Sequence, residues 1–168
     1  MVRMQVKDVI VGKGSTPSAV VLLPEGKRAA STLPISVGPF EASCIGAGLE
    51  HRRRRRPMTH DLLANVIDVL GGKLESVSIT RAEGATFFAT LDIRLGTGET
   101  HHIDARPSDA IALAVRTQVP ILATEKLLEQ AGLPNLDAVA ADERARDAKA
   151  FHDFVESLTP DDFKTNRQ

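Results

Sequence analysis

Hydrophobic residues recur with two different periods along this chain, and the switches between them divide it into elements. Met4 to Val11 alternates loosely and is rich in Val and Ile before Gly12-Lys13-Gly14-Ser15 breaks it, and Ala19 to Leu23 is a short apolar run closed by Pro24-Glu25-Gly26. Both read as strands of a hairpin or meander. Arg28 to Val37 reads as a third strand, with Pro34 pointing to an edge or a bend. Leu74 to Thr80, Thr86 to Leu95 and Glu99 to Ala105 alternate again around turns at Glu83-Gly84 and Gly96-Thr97-Gly98, the pattern of an antiparallel meander. Helical spacing separates these strands. Gly38-Pro39 opens a short helix with Phe40, Ala42, Ile45 and Ala47 at apolar positions. Thr59 to Leu70 carries Leu62, Leu63, Val66, Ile67 and Leu70 and stops at Gly71-Gly72. A third helix starts at Pro107, with Ile111, Leu113, Ala114 and Val115 on its apolar flank. Pro120 to Ala123 then reads as a buried strand and Glu125 to Ala131 as a helix before Gly132. Together these elements predict an α+β fold: a mixed, largely antiparallel sheet with helices packed on it.

From Leu133 onward the composition changes. Residues 1–132 are therefore expected to form one domain, and residues 133–168 a helical C-terminal appendage and tail. Asp137 to Lys149 is Ala-rich and charged; Phe151, Phe154, Val155 and Leu158 form a helical stripe that would dock the appendage, the alternative being a disordered tail. At 168 residues the chain can bury an ordinary core, and its 42% apolar and 26% charged residues are those of a globular protein. No apolar run approaches the roughly 20 residues that a spanning helix needs, and the N-terminus lacks the basic-then-apolar order of a signal peptide. A single cysteine, Cys44, excludes an internal disulfide framework and reads as a small buried hydrophobe. A cytoplasmic location and no membrane partner are the corresponding expectations.

Charge changes the picture locally. The formal net charge is -1, so the chain is no nucleic-acid-binding polycation, yet Arg52 to Arg56 place five guanidiniums in a row. Such a run is either a solvated loop or a phosphate-backbone contact. With no Trp or Tyr and six Phe, the chain lacks the aromatic platforms on which single strands stack.

The densest chemistry lies where a strand runs into a helix, at Asp104-Ala105-Arg106-Pro107-Ser108-Asp109. Pro107 is preset for a first helical position, Ser108 and Asp109 suit the first turn, and a guanidinium beside free backbone N–H groups suits an anion. Arg56-Pro57-Met58-Thr59-His60-Asp61 repeats the layout ahead of its own helix. Both Arg-Pro junctions are expected to face one site.

With Leu33-Pro34-Ile35, Gly38, Glu41-Ala42, Phe87-Phe88-Ala89 and Pro120-Ile121 in order around these two junctions, the sequence resembles the bifunctional nuclease family over roughly residues 1 to 132. The resemblance implies an α+β domain and a nuclease acting on both DNA and RNA. The arginines at 52–55 depart from the usual pattern, and no additional repair-type helical module is expected after the domain.

Phosphodiester hydrolysis needs an activated water, charge stabilisation at phosphorus and help for the leaving oxygen. His60, Asp61, Asp104 and Asp109 are the candidate catalytic residues, with His60 as general base, and Arg56, Arg106, Ser108 and Thr59 the candidates for holding phosphate. Asp61, Asp104, Asp109 and Glu41 could hold Mg²⁺ or Mn²⁺, hard ions that prefer oxygen; no organic cofactor is implied. Each residue also has a plainer role. Asp61 and Asp109 suit first helical turns, Asp104 and Arg106 could be an ion pair, His60 could cap its helix, and Thr59 and Ser108 read as caps rather than nucleophiles. Two readings follow: a metal-assisted nuclease of low sequence specificity with DNA or RNA as partner, or a non-catalytic anion- or partner-binding regulatory module acting as a homo-oligomer.

Overall fold

The computed structural model describes residues 1–13, 16–26, 31–50 and 55–137, together with residues 140, 146, 148 and 149. Gly14, Ser15, Arg28, the arginines at 52–54 and the stripe of Phe151, Phe154, Val155 and Leu158 lie outside the described residues.

The elements follow the order β1 (Val2–Ile10), β2 (Ser18–Pro24), β3 (Ser31–Val37), α1 (Pro39–Leu49), α2 (Thr59–Val69), β4 (Gly72–Glu83), β5 (Thr86–Leu95), β6 (Thr100–Ala105), α3 (Pro107–Thr117), β7 (Ile121–Ala123), α4 (Glu125–Ala131) and β8 (Leu133–Pro134). They build an eight-stranded sheet in the order β6-β5-β4-β7-β1-β2-β3-β8. All neighbours are antiparallel except β4 and β7. The fold is α+β, and the β4–β5–β6 meander is in place. β8 pairs with β3, Ser31 lying opposite Pro134, so the chain is still on the sheet when it reaches residue 134.

Alternation sorts the two sheet faces. Val20, Leu22, Leu33, Ile35, Val77 and Ile79 are fully buried on the face that carries the helices, where Ala42 and Ile45 of α1 and Ile111 and Leu113 of α3 meet them. α3 lies between α1 and α2, and α2 reaches the sheet at β4. The opposite face carries Val21, Leu23 and Pro34 on β2 and β3 but is polar around Asp92 of β5. There Asp92, only 13% exposed at its side chain, accepts from Ser76 Oγ at 2.6 Å and Ser78 Oγ at 2.9 Å and meets His102 Nδ1 at 2.7 Å.

The helix starts follow their local chemistry. Pro39 and Pro107 occupy first-turn positions of α1 and α3, where a missing N–H costs nothing. α2 starts one residue past its N-cap Met58, whose N–H donates to Asp61 Oδ2 at 2.8 Å. α1 and α3 approach closely at Gly48: a Cβ there would stand 2.6 Å from Val115 Cγ2 and 2.9 Å from the Arg116 guanidinium. Among the described residues no helix is long and apolar enough to cross a membrane.

Candidate functional site

β6 ends at Ala105, and the chain turns into α3 through Arg106, the N-cap, in extended backbone geometry. That turn aims the Arg106 guanidinium between helices rather than back along the strand. Its Nε donates to Asp109 Oδ2 at 2.7 Å and its second terminal nitrogen to Asp109 Oδ1 at 3.2 Å, while the remaining nitrogen reaches Glu41 Oε1 on α1 at 3.2 Å. His60, in the first turn of α2, meets the same Asp109 Oδ1 through Nε2 at 3.2 Å. One continuous network thus runs Glu41–Arg106–Asp109–His60 and ties together the N-terminal turns of α1, α3 and α2.

Arg106 holds the Asp109 carboxyl below the usual carboxylate value, and His60 adds to that against the opposing effect of burial. Asp109 and then Glu41 push the Arg106 guanidinium further up. Two carboxylates thus face one guanidinium. An incoming phosphate must therefore exchange with Glu41 or Asp109 to reach Arg106 in full. His60 is 9% exposed, and its Nδ1 is buried with no hydrogen-bond partner. When Nε2–H donates to Asp109, Nδ1 is an acceptor aimed at nothing; a proton added there gains no acceptor either.

Arg106 separates two cavities. One, of about 600 Å³, has apolar walls from Leu63, Ile67, Leu91 and Ile93 and a polar end made by His60, Asp109 and Arg106. The other, of about 290 Å³, lies toward Glu41, Ser108 and Phe87. The side chain of Arg106 is 66% exposed between them.

The remaining sequence candidates are distributed differently. Asp61 does not join Asp109. Its Oδ1 accepts from Arg116 Nε at 2.9 Å while its Oδ2 caps α2. The proposed Asp104–Arg106 pair does not form, because strand alternation carries Asp104 to the other face. Asp104 borders the larger cavity, but it lies opposite Thr90, which hydrogen-bonds Asp92 at 3.4 Å, and the strand register turns its side chain to the polar face. Thr59 borders the larger cavity and Ser108 the smaller, Ser108 being buried in the first turn of α3. Arg56 is exposed and lines neither cavity, so of the two Arg-Pro junctions one brings its arginine to the site and the other brings His60.

Glu41, Asp61, Asp104 and Asp109 therefore do not converge as ligands for Mg²⁺ or Mn²⁺. Arg106 occupies the first and last, Arg116 the second, and Asp104 faces elsewhere. Among the described residues no group of three or more His, Cys, Asp or Glu side chains is disposed to hold a metal ion.

Arg116 is the residue that sequence reasoning missed. Only 9% exposed at its side chain, it donates to Ala112 O at 2.6 Å, to Cys44 O at 2.9 Å and to Asp61, and touches Met58 Sδ at 3.7 Å. It fixes the start of α2, and with it His60, against α1 and α3.

The residues around this network match a known family model. Residues 20–135 match the model of the bifunctional nuclease domain. An uncharacterised protein of Mycobacterium tuberculosis (strain ATCC 25618 / H37Rv) is 38% identical over 138 residues, which are 79% of this chain and 80% of that one. Bifunctional nuclease 2 of Arabidopsis thaliana is 27% identical over 73% of this chain, and bifunctional nuclease 1 of the same plant is 29% identical over 60%. The matched parts are 38% and 32% of those longer plant proteins. The matched span runs from β2 through β8 and holds every member of the Glu41–Arg106–Asp109–His60 network, and on that span the chain belongs to the bifunctional nuclease domain family.

Proposed function

We propose that the chain is a nuclease that hydrolyses phosphodiester bonds in DNA and RNA with little sequence preference, at the cleft where Arg106 meets His60. The observation that carries this reading is the shared carboxylate: Asp109 is bonded at once to a guanidinium open to the cleft and to a buried imidazole. Arg106, together with the positive end of the α3 dipole, supplies positive charge for phosphate oxygens, and this charge counts for more as the transition state gathers negative charge. When phosphate takes over Arg106, Asp109 is left to His60. The Asp109 carboxylate, released by Arg106 and held by His60 Nε2–H, then accepts the proton of the attacking water, whose oxygen bonds to phosphorus as the P–O ester bond breaks and the leaving oxygen takes a proton from solvent. No step is routed through Mg²⁺ or Mn²⁺, since arginines occupy the carboxylates that would hold them. The nuclease names of the plant relatives support the reaction class.

A second reading has an observation of its own in favour. Two carboxylates already satisfy Arg106, and a closed, slightly negative network suits a non-catalytic module that exchanges one carboxylate for that of a partner.

Labelled single- and double-stranded DNA and RNA, incubated with highly purified wild type, Asp109→Asn and Asp104→Asn in Mg²⁺, Mn²⁺ or EDTA, separate the two readings. The nuclease reading expects cleavage that Asp109→Asn lowers by about 100-fold or more, in line with the usual worth of a positioned acid–base group, and that Asp104→Asn leaves within about twofold of wild type. Absence of cleavage under all conditions, or equal loss in both variants, moves the function to the binding module. Cleavage that EDTA abolishes would overturn the metal-free sequence of steps.

A further inference from the structure

α2 is amphipathic in a way that its own fold does not use up. His60, Ala64 and Ile67 turn inward, while Leu62, Val66, Val69 and Leu70 form a continuous apolar strip that is 55%, 43%, 85% and 78% exposed. Leu63 and Ile103 extend this strip to the edge of the larger cavity. Leu62, Val66 and Val69 are spaced four and three residues apart, the seam along which two helices interlock. No charged side chain interrupts the strip; Asp61 and Asp68 stand on the other flank of the helix.

We infer that this strip is an interface between two copies of the chain, packed α2 against α2 about a two-fold axis. Three observations select a second copy over other occupants. The first is charge. Exposed Arg55 and Arg56 precede the N-terminus of α2 and Asp68 stands near its C-terminus, and the first-turn Asp61 is engaged by Arg116, so the N-terminal end is left cationic and the C-terminal end anionic. Antiparallel pairing brings the cationic end of each helix toward the anionic end of the other, whereas a parallel neighbour would set like ends together. The second is shape. The strip is self-complementary under a two-fold, with Val66 nearest the axis and Leu62 of one copy over Val69 of the other, as an isologous contact requires. The third concerns the chain's own continuation. β8 lies on the sheet edge away from α2, five strand positions from β4 and so about 24 Å across at normal strand spacing. The segment that follows it starts on the wrong side of the molecule. In the dimer the second α2 stands beside Leu63 and Ile103, so each copy walls one side of the other's larger cavity.

The test is sedimentation of the full chain with three variants. Wild type is expected to be a dimer, and Val66→Glu and Val69→Glu to be monomers with unchanged far-UV circular dichroism and a melting temperature that no longer rises with protein concentration. Val69, the most exposed of the strip, serves if Val66→Glu fails to fold. In a Cys44→Ala background, Val66→Cys is expected to give a disulfide-linked dimer on mild oxidation and Asp68→Cys to remain monomeric on denaturing gels. A wild type that stays monomeric at high concentration overturns the inference and leaves the strip to the C-terminal segment or to another partner. So does a dimer that survives both glutamates, or one that cross-links at residue 68 and not at residue 66.

Discussion

Arg116 shows how much one side chain can decide about a site that it does not enter. Its guanidinium replaces water for two backbone carbonyls and one carboxylate, and its removal leaves those acceptors facing a hole. Arg116→Ala is expected to lower stability by about 3 kcal/mol or more, the usual cost of breaking a largely buried charged pair, measured as a shift of the urea midpoint. Arg116→Lys recovers part of that loss, since one ammonium cannot reach all three acceptors. The sequence carried little sign of this. An arginine in the last turn of a helix is ordinary dipole chemistry, and its main partners are carbonyls of Cys44 and Ala112, which leave no pattern in side chains. Glu41 and Arg106, 65 residues apart, were equally unreadable as a pair. Arg106, Asp109 and His60 each stood out as candidates, but their pairing did not: the sequence offered Asp104 as the partner of Arg106, whereas the structure gives it Asp109. The misplacement of Asp104 had a signal available: Ile103 and Ala105 are the apolar positions of that strand, so the residue between them points away from the helices.

At the level of elements, the junction of α1 with α3 offers a test in which one substitution has two signs. A methyl group on Gly46 would meet nothing within 4 Å, whereas one on Gly48 would face Val115 and Arg116 at distances too short for a carbon. Gly46→Ala is expected to stabilise by up to about 1 kcal/mol through helix propensity. Gly48→Ala gains the same propensity, but overpacking against α3 costs about 1–3 kcal/mol, and it loosens the Arg116 contacts as well. Thermal melts of the two variants should therefore move in opposite directions, and equal shifts would refute the close approach. Strand and helix positions were readable because their periods differ and because Pro39, Pro107 and Gly71 punctuate them. What periodicity did not reveal is how much of a helix's apolar face its own sheet covers: the three-to-four spacing of α2 reads as core, yet most of that strip stands open.

For the molecule as a whole, acid is the condition that bears on both sides of the sheet. Burial pushes the Asp92 carboxyl up, but hydrogen bonds from Ser76, His102 and Ser78 outweigh it and leave it below 3.8; Asp109 is lowered by Arg106 and His60 on the other face. A carboxyl whose folded value lies below its unfolded one makes the unfolded chain bind more protons in between. Its contribution to stability is thus complete above the ordinary value and is lost as pH falls through the folded one. Urea midpoints should be level near neutrality and fall below about pH 4, where unfolded aspartates protonate. Asp92→Asn should lower the plateau and flatten that fall; an unchanged slope would remove Asp92 as a contributor. The sheet order has a consequence of another kind. β7 is three residues long and lies between β4 and β1, so among the described residues it alone bonds to both halves of the sheet. A ribosome makes both of those strands well before it reaches Ile121. Until then β1 and β4 each stand as a bare edge, ready to pair with any neighbouring chain. The most exposed moment for this protein therefore falls during its own synthesis, and chains stalled short of residue 121 are the ones that chaperones should hold and that should aggregate without them.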